Sequence, residues 1–244
     1  VSDATSNGRL DGVNAIVTGA SRGIGEAIAR SLAAAGARVA LVARDRDALE
    51  KLAAAIGGGA FAVSCDVTHG DQVRAAAKAV TAAFSGPANI LVNNAGLFRV
   101  APAQELAEGD FKAMIEVNLV APHMFVREFL PAMLGARRGH VVTIGSVADR
   151  SAYPGNAGYS ATKFGGRALH EILRAETKGT GVRATLVSPS ATDTPIWDLL
   201  PAAKRASYPK AQDMLRPEDV ASAVLYAVTA PATVNVDELR LTRA

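Results

Sequence analysis

Cysteine is almost missing: Cys65 is the single one in 244 residues. No intramolecular disulfide can form, which points to a reducing compartment. Aromatic residues make up only 5% of the chain, so a core must be built from Ala, Val, Leu and Ile, as in a parallel sheet packed between helices. No apolar run approaches membrane-spanning length, and the first ten residues are polar without a signal-peptide core. The expectation is a soluble, cytoplasmic chain with no membrane partner. No Pro/Ser linker, charge block, low-complexity run or repeat marks a boundary, so residues 1–244 are expected to form one domain. The net charge is +3 with basic residues scattered along the chain, which argues against a nucleic-acid surface. His69, His123, His140 and His170 show no metal-ligand spacing, and no metal is expected.

What the chain does have is a regular alternation. Short apolar, often β-branched runs predict strands at Val13–Thr18, Arg38–Ala43, Ala60–Ser64, Ile90–Asn93, His140–Ile144, Val182–Val187 and Val236–Leu241. Between them, helical patterns cover Glu26–Ala35, Asp47–Ile56, Asp71–Phe84, Asp110–Leu134, Gly158–Lys178 and Pro217–Val228. Gly57-Gly58-Gly59 reads as a helix-ending turn, since a strand follows it. Strand–helix–strand repeats with right-handed crossovers build an α/β fold: a single-domain, doubly wound, Rossmann-type parallel sheet with helices on both faces. Ligands in such sheets collect beyond the carboxyl ends of the strands, where Gly19–Gly25, Arg44, Asp66, Asn94–Gly96, Ser146 and Pro189–Thr194 would all lie.

Two motifs carry the chemistry. The first strand runs into Gly19-Ala20-Ser21-Arg22-Gly23-Ile24-Gly25 and then a helix. Glycines let a backbone approach a pyrophosphate, and a helix N-terminus offers unpaired N–H groups to it. The spacing is not G-x-G-x-x-G, and no Gly-Lys-Ser/Thr is present. Taken alone, the segment is equally a tight strand-to-helix turn that binds nothing. The second motif is Tyr159-x-x-x-Lys163, one helical turn apart on one face, with Ser146 upstream at a strand end. A cation beside a phenol favours the phenolate, which would make the tyrosine a usable acid and base near neutrality. Serine to orient, tyrosine to move a proton and lysine to tune it outline a carbonyl/alcohol redox site.

With these residues placed, the chain resembles a classical short-chain dehydrogenase/reductase over nearly its whole length. The pieces are Thr18-Gly19-x-x-x-Gly23-x-Gly25, Asp66, Asn93-Asn94-Ala95-Gly96, Asn118, Ser146, Tyr159-x-x-x-Lys163, and Pro189 with Thr194. The resemblance implies that Tyr159 exchanges the proton with the substrate oxygen and that Ser146 bonds that oxygen. Lys163 would tune Tyr159 and hold the nicotinamide ribose, and Asn118 would support a water-linked proton path from Lys163. Gly19, Ser21, Arg22, Gly23, Ile24 and Gly25 would line the pyrophosphate turn. Asp66 and Val67 would flank the adenine, and Asn94, Ala95 and Gly96 would run past the adenosine ribose. The segment from Pro189 through Thr192 to Thr194 would meet the nicotinamide. The cofactor-binding part would span about 11–145, and the catalytic and substrate-binding part about 146–244. Two departures stand out. Ser190 replaces the glycine that usually follows Pro189, reducing backbone freedom. The chain ends in Val234-Asn235-Val236-Asp237-Glu238-Leu239-Arg240-Leu241 rather than Val-Asp-Gly-Gly, as in the branch of 3-hydroxy acid and serine-type dehydrogenases and broad carbonyl reductases.

The leading expectation is an NADPH-dependent reductase of small-molecule ketones or aldehydes, reversibly an alcohol dehydrogenase. An NADP-dependent 3-hydroxy acid dehydrogenase and a nucleotide-sensing regulator on the same fold are the alternatives. NADP(H) is expected over NAD(H), because Arg44 follows Ala43 where NAD-preferring relatives carry an acid, with Arg22 near it. Asp45 or Asp47 reaching the ribose is the competing reading. Trp197 and Tyr208 are expected in a substrate lid within 195–209. Apolar positions Ala161, Phe164, Ala168, Leu169 and Leu173, with Met124, Phe125, Phe129 and Met133 on the preceding helix, suggest a homodimer or, preferentially, a homotetramer.

Overall fold

Every strand of the computed structural model runs parallel to its neighbours, in the order β3-β2-β1-β4-β5-β6-β7. The structure describes residues 10–84, 86–200, 205 and 207–244. The first nine residues and positions 201–204 and 206 of the expected lid lie outside the described residues. The first half of the chain comprises β1 (Asn14–Thr18), α1 (Gly23–Ala34), β2 (Arg38–Ala43), α2 (Arg46–Ile56), β3 (Phe61–Ser64), α3 (Gly70–Phe84) and β4 (Ile90–Asn93). The second half comprises α4 (Glu108–Ile115), α5 (Ala121–Gly135), β5 (Gly139–Ile144), α6 (Ala157–Thr177), β6 (Val182–Pro189), α7 (Pro217–Thr229) and β7 (Glu238–Leu241).

The two-residue period of the strands divides their side chains between two cores. On β1, Ala15 and Val17 face Ile28 and Leu32 of α1, Leu49 and Leu52 of α2, and Val220 and Val224 of α7. Ile16, between them, faces Val73 and Val80 of α3, Phe125, Phe129 and Met133 of α5, and Leu173 of α6. Each such large apolar side chain contributes about 1.5–3 kcal/mol by leaving water. Helices therefore cover both faces, as the near-continuous apolar strands require.

Helix ends follow their local chemistry. Asp45 caps α2 by accepting the Ala48 N–H at 3.0 Å, and Gly57 after it has φ +68°, a left-handed conformation that a side chain resists.

Two expectations change. The stretch 110–134 is not one regular helix: a π turn at Glu116–Val120 separates α4 from α5. Its extra residue per turn displaces Asn118 from the helical register, and apolar periodicity cannot reveal that. Phe125, Phe129 and Met133 are not surplus surface either. Their i, i+4, i+8 spacing makes one stripe, and the sheet and α3 bury it. On α6, by contrast, Phe164, Leu169 and Ile172 are exposed by 45%, 39% and 53%.

Candidate active site

The strand order reverses between β1 and β4, and the loops that leave these two strands pack against each other there. Asn94, just past β4, donates from its amide to the carbonyls of Thr18 (2.9 Å) and Gly19 (3.3 Å). Thr18 Oγ1 accepts the N–H groups of Asn94 (3.0 Å) and Ala95 (3.1 Å). The glycines of the turn are therefore steric necessities. A Cβ on Gly19, which has φ +65°, would lie 2.8 Å from the Ala95 Cα, and one on Gly25 would lie 2.2 Å from the Gly19 carbonyl oxygen. Gly23 has φ +59° and packs under Thr194, whose methyl would sit 3.1 Å from an added Cβ. The glycine turn thus meets the segment that follows β6.

A cleft of about 1120 Å³ opens at this edge of the sheet. Gly19, Ser21, Arg22, Gly23 and Ile24 line one end, with Arg44, Asp66, Val67, Asn94, Ala95 and Gly96 beside them. Gly25 does not line it; this glycine is needed for α1 to pack beneath the turn. Arg22, the N-cap of α1, makes no side-chain cap bond, leaving the first N–H groups of the helix for a ligand. Asp66 accepts Thr68 N–H at 3.0 Å and Thr68 Oγ1 at 2.7 Å. Burial works to raise its carboxyl, but those bonds and the charges of Arg44 and His69 hold it below its ordinary range.

Ser146, Tyr159 and Lys163 line the middle of the cleft. Ser146 follows β5 and accepts the Ala148 N–H at 3.1 Å, capping a single 3-10 turn, Val147–Asp149. Tyr159 and Lys163 stand one turn apart on α6, the ammonium 5.6 Å from the phenol ring centre. Lys163 Nζ donates to the Ile144 carbonyl at 2.9 Å. Burial pushes Tyr159 up to about 12, and Asp149 adds to the rise while a hydrogen bond with Ser146 opposes it. Burial also pulls Lys163 down to about 8, opposed by Asp149. The phenol is therefore not tuned toward neutrality by the protein's own charges, contrary to the expectation from the Tyr-x-x-x-Lys spacing. Both side chains keep only part of their surface open to the cleft, and for Tyr159 desolvation is the largest cause of the rise.

Asn118 is buried with its side chain fully engaged. It accepts Leu97 N–H at 2.7 Å and donates to Leu97 O at 2.8 Å and Thr162 Oγ1 at 3.1 Å. These bonds tie the π turn to the chain beyond β4 and to α6, and none of them is to Lys163. Pro189 ends β6 and lines the cleft with Thr192 and Thr194. Ser190 adopts no left-handed conformation, and its N–H bonds the Leu241 carbonyl at 2.8 Å; the missing glycine costs nothing there. Trp197 and Tyr208 line the far end of the cleft with Phe98 and Tyr153.

Two positions beside the expected site residues were not read from the sequence. Asp149 is wholly buried, and its carboxylate accepts the Ser188 hydroxyl and pairs with Arg150 Nε at 2.9 Å. Arg150 reaches on to Glu238 of β7. Phe98 lies edge-on to Tyr159, with ring centres 4.8 Å apart. An acid three residues after Ser146 and an aromatic two residues after Gly96 were the available signals. Elsewhere, burial pushes the Cys65 thiol up to about 11, consistent with a packing residue. His140 is buried against Thr185 Oγ1 at 2.7 Å. Among the described residues no group of three or more His, Cys, Asp or Glu could hold a metal, and no helix is long and apolar enough to cross a membrane.

The family model for short chain dehydrogenases matches residues 13–205. Glycine betaine reductase ATRR of Emericella nidulans is 39% identical over 238 residues, covering 95% of this chain and 19% of that protein; this chain spans about a fifth of that relative's length. D-threitol dehydrogenase of Mycolicibacterium smegmatis is 38% identical over 247 residues, covering 95% of this chain and 92% of that one. A metagenomic short-chain oxidoreductase solved in complex with NADP superposes with a TM-score of 0.82 at 35% identity, covering 96% of this chain and 99% of that one. Likeness that extends from β1 past α6, in sequence and in fold, makes this enzyme an oxidoreductase of the short-chain dehydrogenase/reductase family.

Proposed function

We propose that the enzyme is an NADPH-dependent reductase of ketones or aldehydes, working in reverse as a secondary-alcohol dehydrogenase. The observation that carries this reading is Ser146, Tyr159 and Lys163 on one wall of a cleft whose other end is the glycine turn. The residues present fit a dinucleotide: the uncapped α1 N-terminus and Gly23 suit its pyrophosphate, and the Pro189–Thr194 segment would border its nicotinamide. Bound there, the dinucleotide supplies or accepts the hydride. About 11–145 then serves cofactor binding, and about 146–244 serves catalysis and substrate binding.

The chain's own groups orient the substrate and move the proton. Ser146 donates to the substrate oxygen, and Tyr159 passes its proton to that oxygen as the carbonyl is reduced. Lys163, with one N–H held by Ile144, keeps further donors for the ribose hydroxyls. A phenol pushed up to about 12 stays protonated at neutral pH, so it is ready to donate, which favours reduction. Oxidation requires Tyr159 to lose its proton first and so calls for alkaline conditions.

Cofactor choice follows from the end of β2. Arg44 follows Ala43 directly and lines the cleft, as does Arg22. Asp45, the acid of the competing reading, also lines the cleft, but one of its carboxylate oxygens caps α2. Two guanidinium groups suit a 2′-phosphate through charge-assisted hydrogen bonds. The exposed Phe164, Leu169 and Ile172 on α6 favour a two-fold homodimer or homotetramer, the tetramer preferred.

In Tyr159→Phe, carbonyl reduction should fall about 10²–10⁴-fold with cofactor affinity retained; near-normal turnover with saturating cofactor would remove Tyr159 from the mechanism. Asp149 raises the pKa of Tyr159, so Asp149→Asn should move the alkaline rise of the oxidation rate to lower pH. A pH–rate profile superimposable on the parent's would show that Asp149 does not act on the phenol. Arg44→Ala should weaken NADP(H) roughly tenfold or more and barely change NAD(H), by fluorescence titration. Equal losses would mean that Arg44 does not read the phosphate. Light scattering at micromolar concentration should show a dimer or tetramer, and a monodisperse monomer would refute the assembly.

A further inference from the structure

Aromatic side chains are scarce in this chain, at 5% of its residues, yet they gather at one end of the cleft. Phe98, itself buried, is the hub. Its ring meets Tyr159 at 4.8 Å, Trp197 at 5.5 Å and Tyr208 at 6.0 Å between centres, each edge-to-face. Trp197 and Tyr208 also meet, at 5.1 Å. The catalytic phenol is one member of this cluster. A substrate whose oxygen bonds Ser146 and Tyr159 therefore has a substituent of its carbonyl carbon directed along rings.

The polar handles of the wall are turned into the protein. Trp197 Nε1 donates to the Thr192 carbonyl at 2.7 Å, and the Tyr208 hydroxyl donates to Asn156 Oδ1 at 3.4 Å. What the three rings themselves offer a substrate is ring surface, a poor match for a polyol, whose hydroxyls would lose water against it without replacement. Charge is unfavourable in both directions. Arg205 already sits 5.4 Å over the Trp197 ring, so a cationic substituent meets a like charge. Arg99 could anchor a carboxylate, but it donates to Phe98 O at 3.1 Å and pairs with Asp110 at 3.6 Å. Asp213 also lines the cleft and repels an anion.

We infer that the substrate's carbonyl carries an uncharged aryl substituent, held against a specificity wall of Phe98, Trp197 and Tyr208. This inference rests on the reductase reading above. It names which carbonyl compounds that site takes, and it disfavours the 3-hydroxy acid alternative. The wall is pre-organised: hydrogen bonds fix two of its rings and the third is buried, so little ordering opposes binding.

The test uses the intact enzyme with NADPH and four probes: acetophenone, erythrulose, acetoacetate and propanal. Acetophenone should be reduced with a kcat/KM at least about tenfold above erythrulose and acetoacetate, the scale on which hydrophobic pockets discriminate. Trp197→Leu should lower kcat/KM for acetophenone roughly tenfold, mainly through KM, and change propanal less than about threefold. Preference for erythrulose or acetoacetate would overturn the aryl assignment and leave the reductase reading standing. Reduction of none of the four would remove the reductase reading and this inference with it. A second readout avoids both turnover and the variant's folding. Trp197 is the chain's single tryptophan, so 1-phenylethanol added to the unaltered enzyme with NADPH, a pair that cannot react, should change its emission saturably. Erythritol should not, and an equal response to both alcohols would contradict the wall.

Discussion

Where β1 and β4 lie side by side, two loops leave the sheet at van der Waals distance from each other. The contact is between backbones, Gly19 against Ala95, while Gly25 packs against the Gly19 carbonyl within the first loop. Thr18 and Asn94 lock it with hydrogen bonds in both directions. Because no side chain fits between, the first turn of α1 faces directly into the cleft, and the loop after β4 forms the facing wall. Asn118 extends the same wall. Its amide pairs with both backbone groups of Leu97, as a neighbouring strand would, and reaches Thr162 on α6. The π turn is the local irregularity that allows this reach. The glycine turn and α6 are therefore registered to each other through one chain of contacts.

Electrostatics at the catalytic end are set from behind. Asp149 lies under the loop that bears Ser146, bonded to Ser188 of β6 and, through Arg150, joined to Glu238 of β7. Ser188 and Asp149 are close enough to Gly145 that a Cβ there would meet them at 2.7 and 2.9 Å. A buried carboxylate makes both the phenolate of Tyr159 and the neutral amine of Lys163 harder to form. It therefore favours the protonated form of both side chains. In front, Phe98 lies edge-on to Tyr159 and is itself packed edge-to-face by Trp197 and Tyr208.

Much of this was legible from residue order. Strand and helix succession follows from apolar periodicity, and most expected boundaries fall within three residues of the observed ones. The glycine turn, Ser146 and the Tyr159–Lys163 pair announce themselves because their chemistry depends on local spacing, one strand end or one helical turn. The break at Glu116–Val120 was not legible, because a π turn leaves the hydrophobic pattern almost unchanged. Nor could sequence show that Phe125, Phe129 and Met133 form a core stripe while Phe164, Leu169 and Ile172 stay uncovered. An apolar residue carries no mark of which surface will cover it.

What the sequence determined by itself is the set of local pieces: parallel strands rich in β-branched residues, a glycine turn opening a helix, and a tyrosine and lysine one turn apart. Tertiary structure alone decided how those pieces act on one another. The phenol's proton affinity is set by burial and by Asp149, ten residues away in the chain and on a different element. The aromatic wall joins residues as distant in sequence as Phe98 and Tyr208. Desolvation, charge interaction and ring packing depend on distance in space, which spacing along the chain encodes only within a single helix or turn.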